Sequence, residues 1–155
     1  MSHNNVAVPA SYLLLERDGK ILLMRRFQTG YMDGSYGLPA GHVDEGELPA
    51  DTMVREAKEE INIELLASDL EFVHVAYELP HDETGNRVDF YFQTTNWSGE
   101  PVIVEPHKCD ELLWVPLDEL PENMIPKVRQ ALIAIWKGQT IGYFFYSFRL
   151  LLLLI

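Results

Sequence analysis

The sequence predicts an α/β fold in which a mixed β-sheet is covered by helices. Three observations point there: apolar runs joined by a tight-turn dipeptide, further strand-like runs later in the chain, and two separated segments of helical periodicity. "AVPASYLLLE" and "KILLMRR" flank Arg17-Asp18-Gly19. Asp-Gly between such runs signals a hairpin, because glycine accepts the positive φ that a tight turn requires. The stretch "FQTGYMDGSYG" (27–37) carries three glycines among polar residues and reads as a loop. From Pro49 to about Ile61 a helix is expected. Pro49 suits the first helical position, where its missing N–H is no loss. Val54, Ala57 and Ile61 recur at i, i+3 and i+7 as a buried stripe, and Asn62 tolerates the left-handed conformation that ends helices. Strands are expected in "LEFVHVAYEL" (70–79), "VDFYFQTT" (88–95) and "LLWVPL" (112–117), with the turn-rich "PHDETGNR" (80–87) between the first two. A second helix, "PKVRQALIAIWKG" (126–138), places Val128, Leu132, Ile135 and Trp136 on one face and Gly138 at its end.

The whole chain bounds what these elements can do. Its 155 residues suit one domain with a substantial core, and 47% apolar with 23% charged residues is ordinary for a globular protein. Residues 1–138 read as that domain and 139–155 as an apolar tail. The net charge of −12 argues against a nucleic-acid groove, which needs a basic stripe. An anionic substrate must then be drawn in by local positive charge, and a bound metal supplies it. The single cysteine, Cys109, cannot form an internal disulfide, and "MSHNNVAVPA" lacks the charged-then-apolar pattern of a signal peptide. A reducing cytoplasm is therefore expected. The tail "IGYFFYSFRLLLLLI" (141–155) falls short of the ~20 residues of a spanning helix and is interrupted by Arg149. It is expected to be buried against the domain or, by preference, in a homodimer, not in a membrane.

Between the elements lies an unusually acidic stretch, "GHVDEGELPADTMVREAKEEINI" (41–63). On a helix Glu56, Glu59 and Glu60 stand at i, i+3 and i+4 and share one face, expected opposite the apolar stripe. Two readings follow from that placement. The face is solvated and balanced by Lys58 and Arg55, or the carboxylates are oxygen ligands of a hard cation such as magnesium.

The wider spacing separates the two readings. Gly41, five residues, Glu47, seven residues, then Arg55-Glu56-Ala57-x-Glu59-Glu60-x-Asn62-Ile63 resembles the signature of the Nudix hydrolases, with eight of nine fixed positions matched and Asn62 in place of the last glycine. "GLPAGHV" is similar to the family's strand-loop entry, with Ala40 where many members have a second glycine. "EPHKCDELLWVPLDELP" (105–121) resembles a stretch of the branch that hydrolyses nucleoside triphosphates, oxidised purine ones included. The resemblance covers roughly residues 6 to 137 and implies a Nudix-type α/β/α sandwich. It further implies hydrolysis of a nucleoside diphosphate linked to a group X, supported by Mg2+ with Mn2+ as a substitute.

By position in the family pattern, Glu56, Glu59 and Glu60 hold divalent ions together with the carbonyl of Ala40, and Glu56 also handles the attacking water. Glu47 and Arg55 brace the loop on the helix. Glu105 matches the place of a further acidic ligand, with Glu111 as runner-up. Alternation sends Arg25 and Arg26 to opposite faces, so at most one is expected to point inward, and position in the family pattern favours Arg26 for a phosphate contact. Tyr31, with Phe27 and Tyr36, offers a stacking face for a base. His42, His74, His81 and His107 show no zinc-like spacing, and Cys109 lacks nucleophile surroundings. The leading expectation is a pyrophosphohydrolase that takes a nucleoside triphosphate to monophosphate and pyrophosphate. A nucleotide-sugar or ADP-ribose hydrolase and a non-catalytic nucleotide sensor are the alternatives.

Overall fold

A computed structural model of the chain describes residues 6–79 and 85–145. β1 (Ala7–Arg17) and β2 (Lys20–Arg26) form the expected hairpin, closed by Asp18 and Gly19 at φ 53° and 73°. β3 (Tyr36–Gly37) and β4 (Ala40–His42) are short strands flanking Leu38-Pro39, and α1 (Pro49–Ile61) follows. Next come β5 (Glu71–Glu78), β6 (Asn86–Thr94) and β7 (Cys109–Pro116), then α2 (Pro126–Trp136) and β8 (Ile141–Phe144).

The sheet runs β3-β2-β1-β6-β5-β8, with β4 pairing β1 and β7 pairing β2. β1 pairs β6 in parallel, β5 pairs β8 in parallel, and the remaining ladders are antiparallel. β1 is the axis of the fold. Because successive side chains point to opposite faces, its alternate residues feed two separate cores. Tyr12 and Leu14 join Tyr91, Val128 and Leu132 under α2, while Leu13 and Leu15 join Leu22, Met53, Ala57, Ile61 and Phe92 under α1. A strand buried on both faces has no polar side to show, and this accounts for the unbroken apolar run in the sequence. The result is an α/β/α sandwich around a mixed sheet.

Three expectations are corrected in detail. The buried stripe of α1 is Thr52, Met53, Ala57 and Ile61, with Val54 only partly buried. Its glutamates do not lie opposite that stripe: Glu56 and Glu60 follow Met53 at i+3 and i+7 and are partly buried beside it, and Glu59 alone points outward. Trp136 is 63% exposed, because α2 buries Val128, Ala131 and Leu132 and turns its last residue away.

β8 begins inside the apolar tail and adds itself to the free edge of β5. Ile141 and Tyr143 alternate outward and are 59% and 58% exposed. Residues 80–84 and 146–155 lie outside the described residues, and so do the expected turn and the expected burial of the rest of the tail. No helix among the described residues is long and apolar enough to cross a membrane.

Candidate active site

The acidic helix is held in place at both ends. At its start Glu47 gathers Arg55 through Nε and Nη2, both at 3.0 Å, and accepts the Thr52 hydroxyl at 2.7 Å and the Asp44 N–H at 3.2 Å. Arg55 also donates to the carbonyl of His42 at 3.1 Å, which ties α1 to β4. The Arg55 guanidinium and the Thr52 hydroxyl hold the Glu47 carboxyl down at about 2. At its other end Asn62 turns left-handed at φ 56°. The chain beyond Gly99 then runs back along the helix terminus, with the N–H groups of Val102 and Val104 bonding the carbonyls of Ile61 and Glu60 at 3.0 and 3.2 Å. These two bonds occupy helix-end acceptors that would otherwise lack partners, and they deliver Glu105 beside Glu60.

The Glu47–Arg55 pair has a consequence for acid stability. A carboxyl whose folded pKa is depressed stabilises the fold above its ordinary value and loses that contribution as pH falls toward the folded one. The stabilisation from Glu47 is thus complete above about pH 4.5 and is lost toward about pH 2. Urea unfolding of Glu47→Gln against the parent chain should show a destabilised variant near neutrality and a gap that narrows through this window. A gap that stays constant with pH would assign Glu47 to packing alone.

Glu56, Glu59, Glu60 and Glu105 line one cavity of about 680 Å³, together with Ala40, Gly41, Arg25, Arg26, Tyr31 and Lys108. Glu56 takes Nη1 of Arg55 at 2.7 Å and lies against Gly41, where a Cβ would stand 1.9 Å from Glu56 Oε1. A side chain at position 41 would therefore have to displace the Glu56 carboxylate. Glu60 accepts the N–H of Ala40 at 2.9 Å. Burial, then repulsion from Glu56 and Glu105, pushes its carboxyl up to about 8 even against that hydrogen bond. Burial likewise raises Glu56, opposed by Arg55. Glu59 is the most open of the three, with its side chain 56% exposed and 3.4 Å from Arg55. Glu105 is held by Lys108 at 2.8 Å. Among the described residues no group of three such side chains is already drawn together around an ion position, and the carboxylates rest on Arg55, Ala40 and Lys108 instead.

The family model for the NUDIX domain matches residues 6–134. The chain belongs to the Nudix family. It is 30% identical over 125 residues to an 8-oxo-dGTP diphosphatase of Haemophilus influenzae, covering 80% of this chain and 86% of that protein. It is 29% identical over 119 residues, 73% of this chain, to a nucleoside triphosphate pyrophosphatase/Nudix hydrolase fusion protein of Bifidobacterium longum, of whose length it spans only 24%. Among solved structures, a MutT NUDIX hydrolase from Burkholderia pseudomallei superposes with a TM-score of 0.75 at 30% identity, covering 83% of this chain and 97% of that one. As a Nudix member the chain is a hydrolase of phosphorus anhydride bonds.

Other residues singled out in the Nudix sequence fall into two groups. Arg26 and Tyr31 meet at the cavity: the guanidinium lies 5.3 Å from the ring centre and donates from Nε to the Tyr31 carbonyl at 2.7 Å. Arg25 lines the same cavity but is also committed to Asp110 and Glu111, at 2.7 and 2.9 Å. Glu111, so paired, is absent from the cavity wall, whereas Glu105 forms part of it. Part of the cavity lining was not legible in the sequence. There Glu78, Arg87 and Lys127 come from β5, β6 and α2. They belong to no spacing pattern, and only the β5–β6 ladder and the docking of α2 bring them together.

Proposed function

We propose that the protein is a magnesium-dependent pyrophosphohydrolase that cleaves a nucleoside triphosphate to nucleoside monophosphate and pyrophosphate, with Mn2+ able to replace Mg2+. The observation that carries this reading is the gathering of Glu56, Glu59, Glu60 and Glu105 on one cavity, where burial first, and then repulsion from Glu56 and Glu105, pushes the Glu60 carboxyl up to about 8. Glu56, Glu59, Glu60 and Glu105 outnumber the Arg55 and Lys108 cations beside them, so the cluster fits a divalent ion, and its all-oxygen donor set suits a hard one. Glu56, Glu59, Glu60, Glu105 and the Ala40 carbonyl are the groups that would hold it. Bound there, the ion supplies charge neutralisation at the phosphate oxygens and a more acidic water.

The chain's own residues do the remaining work in this reading. Glu56 orients the attacking water and takes its proton as the new P–O bond forms and the bridging P–O bond breaks. Its carboxyl, raised by burial, is a better base than an exposed one. Glu47 and Arg55 fix the register of the loop and helix that carry it. Arg26 offers its guanidinium to a phosphate, and Tyr31 offers a face to a base.

The triphosphate reading draws on the 8-oxo-dGTP diphosphatase relative, and an oxidised purine nucleotide is among the first substrates to try. Product analysis on a magnesium-containing panel decides. A triphosphatase leaves monophosphate and pyrophosphate, a nucleotide-sugar or ADP-ribose hydrolase leaves two monophosphates, and a sensor leaves the ligand intact.

A cytoplasmic homodimer completes the proposal. Ile141, Tyr143 and Phe145 expose one apolar row, 59%, 58% and 50% open, at the edge of the sheet. Leaving such side chains in water costs ~1.5–3 kcal/mol each relative to burial. Truncation after Gly138 removes this row with the rest of the tail, and it should shift the sizing profile from dimer to monomer. An unchanged profile would remove the tail from the interface.

A further inference from the structure

Lys108 lines the cavity that holds Glu56, Glu59 and Glu60, yet the reaction outlined above gives it no part. Its Nζ donates to Glu105 Oε1 at 2.8 Å, and the Lys108 and Glu105 side chains are 56% and 32% exposed. The charges of Glu60 and Glu56 act on the same ammonium. The ion pair is not needed to hold the turn that carries it. The Glu105 carbonyl accepts the N–H groups of Lys108 and Cys109 at 2.9 and 3.0 Å, and the Lys108 carbonyl accepts the Phe27 N–H at 2.8 Å. These three backbone bonds fix residues 105–109 against the end of β2, where Cys109 pairs Arg26. What the side chains add is an ammonium kept on one carboxylate of the cluster, next in sequence to the partner of Arg26.

The other cations of the cavity are engaged elsewhere. Arg25 carries Asp110 and Glu111, and Lys127 is buried against Glu78 and Asp89. Arg26 bonds the Tyr31 carbonyl and the Thr29 hydroxyl, and Arg87 reaches His42 at 3.3 Å. Lys108 has instead one exposed ion pair, of a kind that contributes little to stability and is easily broken. Its partner is also a carboxylate that a divalent ion would claim. Ammonium and ion compete for Glu105, and an ion that wins releases the ammonium on its flexible four-carbon stem. A triphosphate in the cavity offers that charge new partners, because phosphate oxygens accept from a lysine acting as a point charge.

We propose that Lys108 is a substrate-binding residue for the phosphate chain, held on Glu105 until a divalent ion displaces it. This rests on the magnesium-dependent triphosphatase reading of the same cavity. The exchange moves no proton and breaks no covalent bond: the ammonium trades one anionic oxygen for another.

Two measurements on the full chain test it, with Lys108→Met as the variant. Met keeps an unbranched stem at an exposed position and removes the charge. The first measurement is Mn2+ affinity without substrate, read from the electron paramagnetic resonance of the free ion. With the competitor gone, Kd should fall about two- to fivefold, the worth of an exposed ion pair. If the pair served only to fasten Glu105 for the ion, Kd would rise instead. An unchanged or raised Kd overturns the inference. The second is KM, in saturating magnesium, for whichever of GTP, ATP, CTP, UTP and 8-oxo-dGTP the parent hydrolyses best. It should rise at least about tenfold, the value of one hydrogen bond to a charged group, with kcat changed far less. A smaller rise, such as the loss of a distant charge would give, also overturns the inference. If the parent chain binds no Mn2+ or hydrolyses none of the five compounds, the triphosphatase reading falls and this inference with it. A parent that does both, with a variant unaltered in Kd and KM, removes the inference alone.

Discussion

Replacing Glu60 by Gln is expected to lower kcat at least about 100-fold, since changing even the groups that support a metal ligand costs 10- to 100-fold. Glu60 is the most enclosed of the three α1 glutamates Glu56, Glu59 and Glu60, with the Ala40 N–H on one oxygen and Glu56 and Glu105 nearby. A neutral amide keeps the shape and removes the charge. Steady-state kinetics with saturating magnesium would measure the loss, and full activity of the parent chain in excess chelator would sink the metal reading altogether.

The same substitution has an opposite effect on the metal-free fold. An acid whose folded pKa is raised favours its protonated form when folded, so the native state is penalised progressively above the ordinary value of 4.5 and fully above about 8. Gln carries no such penalty. In chelator, the thermal midpoint of Glu60→Gln should therefore exceed that of the parent by a margin that grows between those two pH values. An equal margin at both ends would mean that Glu60 titrates normally.

Glu56→Gln is the second large effect. If Glu56 takes the proton of the attacking water, its loss should lower kcat by about 10²–10⁴-fold, the usual worth of a positioned base, with KM changed far less. The geometry supplies a companion variant. A methyl group at position 41 would collide with the Glu56 carboxylate, 1.9 Å from Oε1, so Gly41→Ala should reproduce part of the kcat loss by displacing Glu56 without altering it. An unchanged kcat in Glu56→Gln would transfer the search for the base to Glu105. Glu111 is the weaker alternative because Arg25 holds it off the cavity wall.

The sequence by itself determined every element whose cause is local. The Asp18-Gly19 turn follows from backbone conformational freedom. The limits of α1 at Pro49 and Ile61 follow from proline's missing donor and from Asn62's tolerance of a left-handed turn. The family followed from residues 41–63 because an ion-binding helix and its brace need fixed spacings within one stretch of chain. Tertiary structure decided what depends on elements distant in sequence. Which glutamates of α1 are enclosed was settled by β4, through Ala40 and Gly41, and by the return of the chain at Val104. Whether Glu105 or Glu111 faces the cavity was settled by Arg25 on β2, which pairs across the β2–β7 ladder. The contacts of Lys127 with Glu78 and Asp89 had no signature at all, since the three residues lie on α2, β5 and β6 and meet only after the sheet has paired and the helix has docked. A carboxylate in a sequence reads the same whether water or an ammonium will surround it, and only packing sets that environment.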